Sequence, residues 1–191
     1  MRPNPELLRL AAAIRRIPSK PWSGVAYRSA SPAYAGSRDL VSGEGVRRYG
    51  GRWNPPGAFA AVYASLSPET ALAEALAQFR HYGVPEADAL PRVIAALEVR
   101  LEALSDLTAG SARRTLRVSR RRMRSDPWRR AQGEGRESLT QAVGRAALEA
   151  GLEALLVPSA ADPSGTNLVV FPAQLRPGSR LAVRAPAARP H

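Results

Sequence analysis

The chain has 191 residues, and its 28 Lys and Arg against 16 Asp and Glu give a formal net charge of +12. It has no cysteine and two histidines, so a disulfide framework, a thiolate or histidine metal centre and a Ser-His-Asp triad all lack parts, and we expect no metal site. The charge favours a polyanionic partner, with nucleic acid first, although Lys20 is the only lysine and the excess is almost wholly arginine.

The first 21 residues predict a helical extension, because Asn4-Pro5-Glu6 combines an N-cap residue, a first-turn proline and an acid that suits the helix dipole. A short strand, Gly24–Ser31, carries Arg28, and Pro32–Ser42 is predicted to be a loop. Nowhere does the chain approach the roughly 20 consecutive apolar residues of a membrane span. We therefore expect a cytoplasmic protein with no membrane partner.

The segment GEGVRRYGGRWN, Gly43–Asn54, holds four glycines, three arginines, a tyrosine and a tryptophan. It is not a dinucleotide fingerprint, because Arg48 stands at the third glycine position and Pro55-Pro56 follows where a helix should begin. Two interpretations stay open. In the first, the glycines admit an anion that Arg47, Arg48 and Arg52 bind, with Tyr49 and Trp53 stacked on its ring. In the second, the segment is a glycine-rich hairpin whose aromatic residues cover a core edge.

The middle of the chain predicts a buried strand, Ala60–Ala64, and then a helix that Ser67-Pro68-Glu69 opens. The apolar stripe of that helix is Leu72, Leu76 and Phe79. Glu74 lies off the stripe, which is typical of a solvated carboxylate unless that face lines a cleft. A further strand is predicted over Arg92–Leu101.

The arginine-dense segment Ala112–Arg130 is predicted to be helical as far as Ser125-Asp126-Pro127, and Thr140–Ala150 is a second helix. Leu152–Val157 and Asn167–Phe171 predict two late strands, joined by a polar loop that contains Ser159. From Arg176 onward the composition of Pro, Arg and Ala predicts a flexible tail. Strands and helices alternate irregularly, which favours an α+β domain with a mixed sheet and flanking helices.

Four quoted segments together resemble the RES domain family: YRSAS, SGEGVRRYGGRWNPPG, VYASLSPETALAEAL and LLVPSAADPSGTNLVVFP. The resemblance covers roughly Trp22–Pro172, and it divides the chain into residues 1–21 as extension, 22–175 as the catalytic domain and 176–191 as the tail. The arginine, glutamate and serine for which the family is named correspond to Arg28, Glu74 and Ser159.

The resemblance implies a fold similar to that of the ADP-ribosyltransferase toxins and an enzyme that consumes NAD⁺ as its substrate without a cofactor. Such proteins are toxins of toxin–antitoxin pairs, so the implied partners are NAD⁺ and a helix-turn-helix antitoxin encoded nearby, with DNA reached only through the antitoxin. A homo-oligomer is left open. The implied catalytic residues are Arg28, Glu74 and Ser159, and the implied NAD⁺-binding residues are Arg48, Tyr49, Arg52, Trp53 and Asn167.

The acceptor of the ADP-ribose group is left open among water, inorganic phosphate and a protein side chain. Cleavage of the nicotinamide–ribose bond would deplete cellular NAD⁺ and arrest growth, whereas transfer to a protein would make the chain an ADP-ribosyltransferase. Two non-enzymatic alternatives also remain. The arginines from Arg113 to Arg130 could bind nucleic acid, or they could hold an acidic antitoxin on a catalytically silent scaffold.

Overall fold

The computed structural model describes residues 5–184, and in that range the chain forms eight α-helices and six β-strands. The helices are α1 Pro5–Ile14, α2 Ser37–Ser42, α3 Glu44–Tyr49, α4 Pro68–His81, α5 Gly110–Leu116, α6 Arg120–Arg124, α7 Trp128–Gly133 and α8 Leu139–Glu149. The strands are β1 Ser19–Ala30, β2 Val62–Ser65, β3 Val93–Asp106, β4 Ala154–Pro158, β5 Thr166–Val170 and β6 Arg180–Val183.

The strands form one mixed sheet in the order β1-β2-β5-β4-β3-β6, in which only β3 and β4 are parallel. Strand β1 also pairs with β3, from Ser19 opposite Ser105 to Ala30 opposite Val93, so five strands close into a ring. This confirms the predicted α+β class, with a mixed sheet and helices around it.

Two apolar cores lie on the two faces of this sheet. One face of each of the five ring strands contributes to the first core, through residues such as Ala26, Ala64 and Leu168. The second core packs the opposite face against α1 and α8. Helix α1 buries Leu10 and Ile14 almost completely, so the predicted N-terminal helix is an integral part of the core. Its expected N-cap, Asn4, lies outside the described residues.

The structure corrects several predicted elements. The predicted loop over residues 32–42 contains α2, and the glycine-rich segment contains α3. The arginine-dense segment is broken into α5, α6 and α7 rather than forming one helix, because Arg117 adopts a left-handed conformation with φ 55° and Ser119 caps a new helix. Its apolar residues then reach the core separately: Leu116 and Met123 are both buried.

The predicted flexible tail begins with an ordered strand. Strand β6 pairs with the outer edge of β3, where Val99 lies opposite Leu181, and Leu181 and Val183 pack against the first core. The expectation of flexibility is therefore wrong for the described part of the tail, because β3 offers an otherwise open edge there. Residues 185–191 lie outside the described range. None of the helices in residues 5–184 has the length and apolar character of a membrane-spanning helix.

Candidate active site

Helix α4 presents Glu74 to the sheet. Ser67 caps the helix by accepting a hydrogen bond from the Thr70 N–H at 3.1 Å. Thr70 and Ala71 are the buried residues of the helix, and Glu74 lies one turn further along the same face. The expected apolar stripe is only partly buried. Glu74 lies on the helix face that includes Thr70, and it contacts Asn167 of β5 and the loop that follows β4.

One carboxylate oxygen of Glu74 accepts four hydrogen bonds. Oε1 receives the Ser159 hydroxyl at 2.5 Å and the Asn167 side-chain amide at 2.8 Å. It also receives the backbone N–H groups of Ala160 at 2.9 Å and Ala161 at 3.3 Å. Within residues 5–184 no hydrogen bond holds the second oxygen, Oε2. The geometry therefore fixes the carboxylate through one oxygen and leaves the other for a ligand.

Ser159 is completely buried, and both functions of its hydroxyl are used inside the protein. The hydroxyl donates to Glu74 and accepts from the Asp162 N–H at 2.9 Å. Asn167 is held in the same way, because its Oδ1 accepts the Ser65 hydroxyl at 2.7 Å. The resemblance implies a catalytic role for Ser159, and in the structure its buried hydroxyl contacts Glu74.

The loop between β4 and β5 is tied to the start of α4. The Thr70 hydroxyl donates to Asp162 Oδ2 at 2.6 Å, and this bond is the main reason that the pKa of Asp162 lies below its usual range. Gly165 passes so close that a Cβ there would lie 2.6 Å from atoms of both Asp162 and Thr70. The loop that carries Ser159 is therefore locked onto the helix that carries Glu74.

Arg28 lies on the same face of β1 as Ala26 and Ala30, at the edge of the first core. Its Nη1 donates to the Tyr63 carbonyl at 3.3 Å, and burial lowers the pKa of its guanidinium. Tyr63 precedes Ser65 by two residues on β2, and Ser65 contacts Asn167. Arg28 and Glu74 thus flank the same short stretch of strand.

A cleft of about 880 Å³ opens beside Arg28. Helix α3 supplies Arg48 and Tyr49 to its lining, and Arg92 comes from the start of β3. Tyr49 is 67% exposed, and the Arg48 guanidinium lies 5.4 Å from the centre of its ring. These side chains can bind an anion that carries an aromatic ring, as the first interpretation of the segment expected.

Arg52 is turned toward the arginine-dense segment. Its Nη1 donates to the carbonyl oxygens of Met123 at 3.2 Å and Asp126 at 3.1 Å. Burial lowers the pKa of Arg52, while the nearby charges of Glu74 and Asp126 raise it and that of Arg129 lowers it. Arg52 therefore lies within electrostatic reach of Glu74.

Trp53 does not fit the stacking role expected of it. Its side chain is 2% exposed and belongs to the second core. The glycines beside it also serve packing: a Cβ on Gly51 would lie 2.7 Å from the Tyr63 hydroxyl. The second interpretation therefore holds for residues 50–54, because they pack against protein atoms, whereas Arg48 and Tyr49 face the cleft.

Sequence reasoning missed the polar residues that hold this arrangement. The Tyr63 hydroxyl donates to Asn54 Oδ1 at 2.8 Å and accepts the Trp53 N–H at 2.7 Å, and burial raises its pKa. Ser65, Thr70 and Asp162 complete the supports of Glu74. Of these supports, only Thr70 lies in a segment with a sequence signal, the S-P-E-T start of α4, which predicts a helix N-cap. The other supporting residues lie in other segments of the chain and show no local pattern.

Comparisons with known proteins identify the family of the chain. The RES domain model matches residues 25–189. The chain is 33% identical over 162 residues to the NAD(+) phosphorylase MbcT of Mycobacterium bovis and of Mycobacterium tuberculosis, which is 82% of this chain and 78% of each relative. It superposes on a chain of the crystal structure of the M. tuberculosis MbcT-MbcA toxin-antitoxin complex with a TM-score of 0.71 and 29% identity, covering 95% of this chain and 91% of that one. By the extent of the family match and the likeness to MbcT, the chain belongs to the RES domain family.

Proposed function

We propose that the protein is a toxin that cleaves the nicotinamide–ribose bond of NAD⁺, with inorganic phosphate as the acceptor. The observation that carries this proposal is the carboxylate of Glu74, which four donors hold by one oxygen within electrostatic reach of Arg52. The likeness to an NAD(+) phosphorylase at 33% identity supports the choice of reaction.

The proposed step balances without a redox partner. The C–N bond breaks, its electron pair leaves with nicotinamide, and the positively charged ring becomes neutral. An oxygen of the phosphate dianion forms the new bond to ribose C1, which gives ADP-ribose 1-phosphate. As the C–N bond lengthens, positive charge develops on the ribose, and a fixed carboxylate next to it lowers the barrier.

Each side chain has a part in that step. Glu74 Oε2 accepts a ribose hydroxyl and faces the developing cation, while Ser159 and Asn167 hold Oε1. Arg28 and Arg48 bind oxygens of the dinucleotide, and Tyr49 packs against the nicotinamide ring. Since Ser159 is completely buried, its effect on the reaction passes through Glu74.

We propose further that an antitoxin with a helix-turn-helix domain inhibits the enzyme, and that DNA is reached only through it. The superposition on the MbcT-MbcA toxin-antitoxin complex supports the idea of an antitoxin partner. A fold like that of the ADP-ribosyltransferase toxins and a cytoplasmic location belong to the same proposal. The catalytic unit is proposed to span residues 22–175, with the helix of residues 1–21 as an extension that packs into its second core.

Purified protein incubated with NAD⁺, with and without inorganic phosphate, tests the proposal. Nicotinamide release is measured by chromatography with phosphate present and with phosphate nearly absent. We expect fast release, with ADP-ribose 1-phosphate as the product, only when phosphate is present. Equal release without phosphate, with free ADP-ribose as the product, would indicate hydrolysis instead. Intact NAD⁺ under all conditions, or ADP-ribose found only on a protein, would contradict the proposal.

A further inference from the structure

Two arginines next to the site carry buried donors without partners. The Nε atoms of Arg124 and Arg129 are inaccessible to solvent and form no hydrogen bond within residues 5–184. A buried N–H without an acceptor destabilises the fold, so such groups mark a place where a water or an ion belongs. Both atoms belong to charged guanidinium groups, which favours an anion.

Arg124 reaches the Glu74 site, and Arg129 lies near Arg52. Arg124, the last residue of α6, donates from Nη2 to the Ala160 carbonyl at 3.5 Å, and the N–H of that same residue binds Glu74. Arg129, in the first turn of α7, lies close enough to Arg52 for its charge to lower the pKa of that guanidinium. Arg52 donates to the Met123 and Asp126 carbonyls of the same segment, so the three guanidinium groups lie around residues 123–129, next to the loop that binds Glu74.

Only two carboxylates, Asp126 and Glu74, act electrostatically on Arg52 among the described residues, and both accept hydrogen bonds from neutral donors. Asp126 Oδ2 accepts both the N–H of Thr140 at 3.0 Å and its hydroxyl at 2.5 Å. Glu74 Oε1 has its four donors, and Glu134 pairs with the exposed Arg130 and Arg136. Arg129 instead stacks on the Trp128 ring, 4.2 Å from its centre. The cluster thus carries more positive charge than its own carboxylates neutralise.

We propose that Arg52, Arg124 and Arg129 form a binding site for a phosphoryl oxyanion beside Glu74. A guanidinium group presents parallel N–H donors that match the oxygens of a phosphoryl group, and several of them can bind one such group together. The inference rests on the proposed function for the origin of the ligand. Inorganic phosphate, the acceptor, and the diphosphate of NAD⁺ present the same oxygens, and the experiment separates them.

The test compares Arg129→Gln with Arg130→Gln, an exposed arginine on the same helix that only pairs with Glu134. Binding of inorganic phosphate and of NAD⁺ is measured separately by calorimetry and by thermal melting, neither of which needs turnover. Loss of one charge-assisted hydrogen bond should weaken binding by about tenfold or more. We expect that loss in Arg129→Gln, and wild-type affinity in Arg130→Gln.

Weaker phosphate binding with unchanged NAD⁺ binding identifies inorganic phosphate as the ligand of this site. The KM for phosphate should then rise with little change in kcat. The reverse pattern identifies the diphosphate. Arg129→Lys, which keeps the charge but loses the paired donors, should bind with intermediate affinity and serves if the glutamine variant does not fold. Equal affinities of Arg129→Gln and Arg130→Gln for both ligands would overturn the proposal. If the protein binds phosphate at these arginines but does not cleave NAD⁺, the binding site is supported and the proposed reaction is refuted.

Discussion

Glu74 has two oxygens with different surroundings, and that difference separates its effect on catalysis from its effect on stability. In Glu74→Gln the amide oxygen can still accept the donors that hold Oε1, so the unfolding free energy should change by less than about 1 kcal/mol. The charge that faces the ribose is lost, so turnover of NAD⁺ should fall roughly 100-fold or more while NAD⁺ binding changes little. Thermal melting and NAD⁺ turnover on the same preparations check both expectations.

Two further variants sharpen that test. Glu69→Gln, exposed in the first turn of the same helix, should keep wild-type turnover. Glu74→Ala leaves four donors without their acceptor and should lower the unfolding free energy by about 2–4 kcal/mol. Wild-type turnover in Glu74→Gln would remove this carboxylate from the mechanism.

Ser159 should affect kcat rather than KM, since its buried hydroxyl reaches only Glu74 and the Asp162 N–H. In Ser159→Ala the carboxylate loses its shortest hydrogen bond and its fixed orientation, so kcat should fall about 10- to 100-fold. KM for NAD⁺ should stay near the wild-type value. Steady-state kinetics over a range of NAD⁺ concentrations separates the two constants.

Ser164→Ala is the matched control, because Ser164 is an exposed serine in the same loop that donates to Asp162. It should keep wild-type kinetics. If instead Ser159→Ala raised KM and left kcat unchanged, the serine would contact the substrate directly, contrary to its burial here.

Helix α8 approaches the segment before β2 so closely that one glycine decides the packing. A Cβ on Gly144 would lie 1.7 Å from the Trp53 carbonyl oxygen, which is part of the backbone and has little room to move. Gly144→Ala should therefore lower the unfolding free energy by about 3 kcal/mol or more, at the upper end of overpacking costs. Urea denaturation measures this change in unfolding free energy.

Gly133→Ala, at the end of α7, is the control for this element. Nothing lies within 4 Å of a Cβ built there, so the change should leave stability equal or raise it by up to about 1 kcal/mol through helix propensity. Because Trp53 follows Arg52 directly, Gly144→Ala should also reduce turnover, even though no atom of Gly144 reaches the cleft. Equal unfolding free energies of the two variants would show that a side chain at position 144 fits between α8 and this segment.

At the scale of the whole molecule, Glu153 joins three parts of the chain. This completely buried carboxylate accepts the N–H groups of Glu102 at 2.6 Å, Ala103 at 2.7 Å and Arg176 at 2.7 Å. It thereby links the start of β4 to β3 and to the segment that leads into β6. Burial alone would raise the pKa of Glu153, but the hydrogen bonds that it accepts hold the pKa below its usual value.

A depressed pKa means that the carboxylate contributes stability above the unfolded-state pKa, and that the contribution is lost as the pH falls through the folded-state pKa. Glu153→Gln should lower the unfolding free energy by about 2–4 kcal/mol at neutral pH. The difference from the wild type should shrink as the pH falls below about 4. Urea denaturation at several pH values checks the sign. Glu102→Gln, exposed on β3, should differ from the wild type by under about 0.5 kcal/mol.

Local signals determined most of the elements of this protein. The N-cap at Ser67 sets the start of α4 through a bond that spans three residues. Alternating apolar residues mark the strands, and the motif residues Arg28, Glu74, Ser159 and Asn167 can be found from the sequence because each lies in a short recognisable segment. The boundaries of the strands shifted by a few residues, since pairing with a neighbour sets where a strand ends.

Tertiary structure alone decided how those residues act. Ser159 and Glu74 are 85 residues apart, and Asn167 and Glu74 are 93 apart, so no local pattern could show that the serine and the amide donate to the carboxylate. Trp53 and Tyr49 have equally suitable rings, but α8 covers Trp53 while Tyr49 stays open. The strand formed by residues 180–183 depends in the same way on the edge of β3. Each outcome rests on contacts between distant segments, which form only once the sheet has closed.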